Sequence, residues 1–273
     1  MQNVNISHEK KFFEKLLFPF PQGYLVGRFL CRYKRFSIAV ELNGKEVWAH
    51  SNNSGSMLGL LRKGTPVLLS KSDNIKRKLA YTQEAVWLPR FWQDNAFCGQ
   101  KFMSPKAYLD GFWVGVNTSI PNKILELAFY ANRLSFTKGY TNIKREAKRG
   151  NSRLDALFTA ENMPNLWVEC KNVTMVEDNI AMFPDAVSTR GQKHLYELMD
   201  IVKAGERAAM FYLVQRTDGA CFAPADCIDE AYTKLFWQAV DMGVEVYPIR
   251  AIVGANGIEL GETLPLSYIM RNL

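Results

Sequence analysis

The first ninety residues place apolar and polar positions in short alternating runs, a pattern typical of β-strands. Turn residues separate these runs, and Asn43-Gly44 supplies the strongest hairpin signal among them. Strands are predicted at residues 24–33, 36–42, 47–49, 65–70 and 79–88. Five short strands within about 70 residues predict a small N-terminal β-barrel of the OB-fold type, spanning residues 19–89.

The segments on either side of the predicted barrel lack this alternation. Residues 1–18 are interpreted as an N-terminal extension, in which the apolar residues between Phe12 and Leu17 predict a short helix. Residues 90–110 are irregular and contain a glycine and a proline, so they are interpreted as a linker or an insertion. Neither segment is therefore assigned to a folded domain.

The second half of the chain alternates between the helical period of 3.6 and the strand period of 2. Three amphipathic helices are predicted: one begins at Pro121, one is capped by Ser188, and one ends at Gly243. Strands are predicted at residues 112–117, 142–148, 153–159, 166–171, 208–214 and 244–253. Residues 111–273 are therefore expected to form a mixed sheet flanked by helices, which makes the chain an α+β protein.

The amino-acid composition indicates the class of protein and agrees with the predicted helices and strands. Apolar residues make up 48% of the 273 residues, so a core can form and global disorder is excluded. No apolar run approaches the roughly 20 residues that cross a bilayer, and the N-terminus has no signal-peptide core. The five cysteines lack paired zinc-type spacing, which favours reduced thiols in a cytoplasmic protein without a membrane partner.

The net charge of +7 and the distribution of the basic residues indicate a nucleic-acid partner. Basic residues of the barrel interleave with the aromatic residues Tyr33, Phe36 and Tyr81. Cations that contact phosphates, beside rings that stack on bases, suit an unpaired or distorted DNA strand. The alternative is that these are solvated loop residues beside core aromatics. The residues predicted to bind nucleic acid here are Arg32, Lys34, Arg35, Lys76, Arg77 and Lys78.

Two consecutive predicted strands carry acidic residues, and the second of them also carries a lysine. Glu169 and Lys171 lie two positions apart and therefore face the same side of their strand, about 7 Å apart at the backbone. If Asp155 lies on the adjacent strand of the sheet, three charged side chains converge at one edge. Mg²⁺ or Mn²⁺ takes oxygen ligands, which Asp155, Glu169 and the Cys170 carbonyl can supply.

A metal at this position would polarise a phosphoryl oxygen and activate water, which phosphodiester hydrolysis requires. Lys171 would then stabilise developing negative charge, and Glu146 could add a carboxylate or orient a water. Arg190, Gln192 and His194 fall at a predicted helix start, where free N–H groups favour phosphate. The alternatives stay open: surface ion pairs at strand ends, and an ordinary solvated helix start with a hydrogen-bonded His194.

Several segments of the chain match a known family. They are residues 32–36 (RYKRF), 53–57 (NSGSM), 72–78 (SDNIKRK), 152–155 (SRLD), 168–174 (VECKNVT), 183–187 (FPDAV) and 189–195 (TRGQKHL). On these segments the chain resembles the sugar fermentation stimulation protein A (SfsA) family along nearly its whole length. The resemblance implies an N-terminal OB domain joined to a C-terminal domain of the PD-(D/E)XK nuclease type.

By position, the resemblance places Asp155, Glu169 and Lys171 on the nuclease-type motif and Glu146 on a further acid that the family shows. Arg190, Gln192 and His194 fall on its shared helix start. The family is described as DNA-binding, and its members were proposed to regulate genes of sugar (maltose) metabolism. The resemblance therefore implies DNA as the partner and Mg²⁺ or Mn²⁺ as the cofactor.

Two features depart from the family pattern. Residues 90–110 are longer than the family leads us to expect, and Leu127 stands where a glutamate is expected, with Glu126 beside it as a poor substitute. The expected function is a DNA-binding protein with a Mg-dependent nuclease site. The alternative is a non-catalytic, non-specific DNA-binding regulatory protein linked to sugar (maltose) metabolism. The sequence leaves the oligomeric state open, a homodimer included.

Overall fold

A computed structural model describes residues 16–20, 24–90, 110–150, 152–268 and 271. Most of the predicted N-terminal extension and nearly all of the predicted linker lie outside these residues. Within the described part of the chain, no helix is long and apolar enough to cross a membrane.

The predicted N-terminal helix is wrong where the structure describes it. Leu16–Pro19 forms strand β1, which pairs antiparallel with the last strand of the fold, β16 (Gly257–Thr263). Phe20, which follows β1, is buried in the main apolar core. The extended conformation is favoured because it gives this segment a hydrogen-bonding partner that is distant in sequence, which local periodicity does not reveal.

Five strands form the N-terminal barrel, as predicted. They are β2 (Leu25–Tyr33), β3 (Ser37–Leu42), β4 (Lys45–His50), β5 (Pro66–Lys71) and β6 (Tyr81–Pro89). β2 pairs with β3 and β5, β3 pairs with β4, and β5 pairs with β6, all antiparallel. A short parallel pairing of β4 with β6 closes the barrel around buried aliphatic side chains that include Ile38, Val40 and Val67.

One strand joins the barrel to the second sheet. β7 (Gly111–Gly115) pairs antiparallel with β6 on one side and with β15 (Glu245–Gly254) on the other. The strands of both halves therefore follow one another in a continuous hydrogen-bonded path. The exact domain boundaries stay a prediction, because the two halves are not separated by a break in the sheet.

The second half forms the predicted mixed sheet. Its strands, in spatial order, are β15, β13 (Arg207–Val214), β10 (Leu166–Val173), β9 (Ser152–Thr159) and β8 (Asn142–Arg149). β10, β13 and β15 run parallel, whereas β9 and β8 each run antiparallel to the strand before them in this order. A separate small sheet contains β11 (Met175–Glu177), β12 (Ile180–Phe183) and β14 (Cys221–Pro224).

Helices cover both faces of this sheet, as predicted. They are α1 (Ile120–Tyr130) on one face, α2 (Thr189–Lys203) and α3 (Glu230–Asp241) on the other, and a 3-10 turn at Ser135–Thr137. Successive residues of β13 alternate between the layers, since Phe211 packs with α1 and Tyr212 packs with α2 and α3. On β10, Trp167 faces the layer of α2 and α3, and Glu169 and Lys171 therefore share that face.

Candidate active site

Strands β9 and β10 separate where the predicted site residues begin. Their antiparallel pairing ends at Val168 opposite Ala156, so Cys170 lies beyond the ladder. The Asp155 carboxylate takes the place of the missing strand partner and accepts the Cys170 N–H at 2.8 Å. Asn122, in the first turn of α1, donates to the other carboxylate oxygen of Asp155 at 2.7 Å. Asp155 is thereby fixed between the sheet and a helix.

The surroundings of Asp155 raise the pKa of its carboxyl group. Burial makes the largest contribution and the negative charge of Glu169 adds to it, while hydrogen bonds and the Lys171 charge oppose the shift. Two carboxylates that repel each other in a partly buried space are stabilised by a cation between them. The predicted convergence of the two acids is therefore present, with the electrostatics of a cation site.

Cys170 presents its backbone, not its thiol, to this site. Its side chain packs in the core cluster that includes α1, and burial raises the pKa of the thiol well above its ordinary value. The N–H and C=O of one strand residue point to the same side, and the Cys170 N–H points to Asp155. The carbonyl of Cys170 is therefore the group from this residue that could serve as a metal ligand.

Glu169 is the most deeply buried acid of the site, with 3% of its surface exposed. Its Oε1 accepts a hydrogen bond from the Lys171 Nζ at 2.6 Å and also contacts the His194 Nδ1. Its Oε2 is buried and has no hydrogen-bond partner among the described residues. Burial raises the pKa of Glu169, but Lys171 and His194 outweigh this effect and lower it to about 2. The carboxylate is thus ionised, with one oxygen held and the other free to bind a cation.

The low pKa of Glu169 predicts a specific loss of stability in acid. Because the folded-state pKa is about 2 and the ordinary value is 4.5, ionised Glu169 stabilises the fold above about pH 4.5. That contribution is lost as the pH falls towards 2. In EDTA, the difference in unfolding free energy between wild type and Glu169→Gln should change by about 2.5 kcal/mol between pH 6 and pH 2.5.

Urea unfolding followed by circular dichroism at a series of pH values measures this difference. Glu161→Gln is the matched control, because Glu161 is an exposed residue of the turn between β9 and β10. A difference between wild type and Glu169→Gln that stays constant from pH 6 to pH 2.5 would show that Glu169 is not held in its ionised form.

The start of α2 brings two of its three predicted residues to the site. Ser188 caps the helix by accepting the Gly191 N–H at 3.0 Å, which confirms the predicted cap. His194 is buried against Glu169 and Lys171, and its Nε2 lies 3.5 Å from the Arg190 Nε. The hydrogen-bonded His194 that the sequence left as an alternative is therefore what the structure shows.

Gln192 points elsewhere. Its side-chain amide donates to both carboxylate oxygens of Asp229, at 2.9 and 3.1 Å. Asp229 is the cap of α3 and accepts the Tyr232 N–H at 2.9 Å. The amide of Gln192 therefore ties α2 to α3 and does not line the cavity, and its contact with nucleic acid stays a prediction.

The site residues line a cavity of about 610 Å³ between the two halves of the protein. The barrel contributes Arg35 to its wall and α2 contributes Arg190, so cations from both halves line the same cavity as the carboxylates. Arg145 and Lys171 add positive charge to the lining. The sequence placed Arg35 in a separate binding surface and gave no sign that it lines the same cavity as the acidic residues.

A loop of the barrel holds this cavity together. Arg32 donates to the carbonyl oxygens of Asn53 and Gly55, at 2.6 and 2.9 Å, and also to that of Arg35. Across the cavity, the Asp185 carboxylate accepts the Met57 N–H at 2.9 Å. The guanidinium of Arg32 thus positions this loop, and its contact with nucleic acid stays a prediction.

The same loop approaches the second half closely at Gly55. A Cβ added to Gly55 would lie 2.3 Å from the Asp185 Oδ1, so a side chain here would displace the Asp185 carboxylate. Sequence reasoning missed Asp185 and Asn122 as site residues. Their only signals were the matched FPDAV segment for Asp185 and a polar residue directly after Pro121 for Asn122.

The other basic residues predicted to bind nucleic acid lie outside the cavity wall. Lys34 is exposed, with its Nζ 5.1 Å from the centre of the Tyr33 ring. Lys76 and Lys78 are exposed in the loop between β5 and β6, and Arg77 in the same loop donates to the Thr82 hydroxyl at 2.8 Å. Their contact with nucleic acid stays a prediction.

Two further acids lie at the edge of the cavity region. Glu146 has a φ of 52° and lies on β8 between two residues that pair with β9, and its carboxylate pairs with Arg153 at 2.8 Å. Glu126 pairs with Arg145 at 3.2 Å, so it does not replace the expected glutamate of α1. Asn122, one turn earlier on that helix, makes the contact with Asp155 instead.

The donor set suits a magnesium-like ion more than a zinc-like one. Among the residues that the structure describes, no three His, Cys, Asp or Glu side chains cluster closely enough to hold a metal ion alone. Mg²⁺ commonly binds through one or two carboxylates and fills its other positions with water and substrate phosphate. Glu169, with its unpartnered Oε2, and Asp155, which interacts with it electrostatically, are two carboxylates that fit this requirement.

The fold and this site together define an α+β protein in which an OB-fold barrel and a mixed-sheet domain share one cavity. The family model of the SfsA N-terminal OB domain matches residues 30–92. That of the sugar fermentation stimulation protein RE domain matches residues 119–257. The chain belongs to the sugar fermentation stimulation protein (SfsA) family, which confirms the resemblance.

Relatives of this family extend over almost the whole chain. A sugar fermentation stimulation protein homolog from Lawsonia intracellularis is 51% identical, covering 93% of this chain and 98% of its own. A homolog from Maridesulfovibrio salexigens is 50% identical, with the same two shares. The solved structure of Pyrococcus furiosus SfsA in complex with Ca²⁺ matches with a TM-score of 0.78, covering 92% of this chain and 99% of that one. At 22% identity, that likeness shows the fold alone.

Proposed function

We propose that this protein is a divalent-metal-dependent nuclease that acts on DNA. The observation that carries the proposal is the ionised, buried Glu169, whose Oε2 has no hydrogen-bond partner in the described structure and whose carboxylate interacts electrostatically with Asp155. Asp155, Glu169 and the Cys170 carbonyl would hold Mg²⁺ or Mn²⁺. When bound, such an ion polarises a phosphoryl oxygen and activates water. The Ca²⁺ bound by the Pyrococcus furiosus relative supports a hard, oxygen-preferring cation.

Other residues of the chain would stabilise charge, bind phosphate and orient water. Lys171 places a positive charge at the base of the cavity, where it can stabilise the negative charge that develops on the phosphate. Arg35 and Arg190 lie on the cavity wall and would bind the phosphates on either side of the scissile one. Glu146 would orient a water at the rim. The net charge of +7 favours the approach of a polyanion.

Cleavage of labelled single-stranded and double-stranded DNA in Mg²⁺ or Mn²⁺ tests this function. The wild type is expected to cut, EDTA to abolish cutting, and Asp155→Asn to abolish cutting while the protein still binds DNA. Glu161→Gln, purified in parallel, should cut like the wild type. Cutting that survives undiminished in Asp155→Asn would come from a contaminant, and absence of cutting with either metal would refute the proposal.

A second candidate is a DNA-binding protein without turnover, with a regulatory role in sugar (maltose) metabolism. It is favoured by one observation: both Asp155 oxygens already accept hydrogen bonds, from Asn122 and from the Cys170 N–H. In that case Asp155 would only stabilise the fold and would not bind a metal ion. DNA affinity would then fall steeply with salt, as counterion release requires, but would be the same in Mg²⁺ and in EDTA.

A further inference from the structure

The barrel carries a group of exposed aromatic rings near the cavity. Tyr33, Phe36 and Trp48 are between 40% and 55% exposed, and we call these three residues the ring surface. Tyr33 and Trp48 meet edge to face, with ring centroids 6.4 Å apart. The Lys34 ammonium lies beside the Tyr33 ring. Large rings grouped on one exposed surface with a cation beside them indicate a binding site, unlike apolar residues scattered singly.

The ring surface continues along one face of the barrel towards a second basic group. Tyr33 lies opposite Ser37, and Ser37 lies opposite His50, so the three share one face of the sheet. His50 in turn lies opposite Thr82, whose hydroxyl accepts a hydrogen bond from Arg77 at 2.8 Å. The rings are therefore flanked by positive charge at both ends, which matches a polyanion whose bases can reach the rings.

The turn between the ring surface and the cavity has an unfavourable backbone for its residues. Lys34 and Arg35 have φ values of 48° and 63°, in the left-handed region that glycine and asparagine adopt most easily. Two consecutive basic side chains at such positions indicate that the side chains themselves are needed there. Arg35 reaches the wall of the cavity that holds Asp155 and Lys171, so this turn connects the rings to the proposed cleavage site.

We infer that the substrate is DNA with an unpaired segment, whose bases stack on the ring surface while its backbone passes Lys34 and Arg35 into the cavity. The cleavage step in this inference rests on the proposed nuclease function, whereas the stacking depends on the barrel alone. In a duplex the base faces are already stacked on one another and cannot reach the rings. The ring surface therefore distinguishes unpaired from paired DNA, and the basic residues do not.

Fluorescence anisotropy in EDTA tests the binding without cleavage. For a thymidine oligonucleotide of about 20 nucleotides, the double variant Tyr33→Ala/Trp48→Ala should lose at least about tenfold in affinity. Its affinity for a duplex of the same length should stay within about twofold of the wild type. Tyr33→Phe, which keeps the ring, should bind like the wild type. Tyr130→Ala removes another exposed tyrosine, on α1, and should change neither affinity.

The outcomes separate this inference from the nuclease proposal. Equal losses on both ligands, or no loss on either, would overturn the ring surface as a site for unpaired bases. Loss of self-association in the double variant, seen by sedimentation without a change in DNA affinity, would also overturn it. Ring-dependent preference for single strands without cleavage in Mg²⁺ or Mn²⁺ would refute the nuclease alone. Equal cutting of duplex and tailed DNA, unchanged in the double variant, would refute the inference alone.

Discussion

Lys171→Met is expected to lower the rate of DNA cleavage about 10²–10³-fold, while DNA affinity changes little. The Lys171 ammonium lies 2.6 Å from the Glu169 Oε1, and its side chain is only 13% exposed. A cation held in such a water-poor position acts more strongly on developing phosphate charge than the exposed cations of the rim. Methionine keeps the length and the apolar body of the side chain but removes the charge.

The same substitution should also weaken the fold. Removing one partner of a buried ion pair leaves Glu169 with His194 as its remaining contact, and such losses cost about 3–5 kcal/mol. Single-turnover cleavage at saturating protein, at a temperature where circular dichroism shows the variant folded, separates the rate from stability. Lys193→Met is the matched control, because Lys193 is exposed on α2 and makes only a 3.5 Å pair with Glu197. Wild-type cleavage by folded Lys171→Met would refute the role of this lysine.

The sequence predicted the central part of the site because that part depends on strand geometry. Residues two apart on a strand share a face, so Glu169 and Lys171 had to meet once β10 formed. The strand before β10 pairs with it antiparallel, which brings Asp155 to the same end. The cap at Ser188 is equally local, since its partner Gly191 lies three residues away.

The remaining parts depend on contacts between distant segments, which periodicity does not encode. Arg35 lines the cavity where the loop at Gly55 approaches Asp185, 130 positions later in the chain. The segment that was predicted to be a helix forms strand β1 because it pairs with β16, which is distant in the sequence. Arg32 and Gln192 carry the hydrogen-bond donors that a phosphate contact needs. In the structure, these donors bind nearby carbonyl and carboxylate oxygens. The sequence thus shows that a side chain has a hydrogen-bond donor, but it does not show which acceptor the donor binds.

His194 shows what the contacts of one buried side chain imply for metal binding. Its Nδ1 touches an oxygen of the ionised Glu169 carboxylate, which can only accept, so we assign a ring proton to this nitrogen; the Nε2 lies 3.5 Å from the Arg190 Nε. Together with Lys171, the Nδ1–H holds the Glu169 Oε1, which turns the Oε2 towards the proposed metal. His194 is therefore a positioning residue, which acts on the metal through Glu169.

Asparagine and glutamine separate this role from simple space filling. The amide nitrogen of His194→Asn overlies the Nδ1 and keeps the donor to Glu169, whereas that of His194→Gln overlies the Nε2 and loses it. His194→Gln should therefore weaken Mn²⁺ binding about 10–100-fold, and His194→Asn by no more than about threefold. Titration of DNA-free protein with Mn²⁺, followed by electron paramagnetic resonance, measures both affinities without relying on cleavage. If the two variants bind Mn²⁺ with equal affinity, the position of the donor does not matter. His194 would then only fill the space behind Glu169.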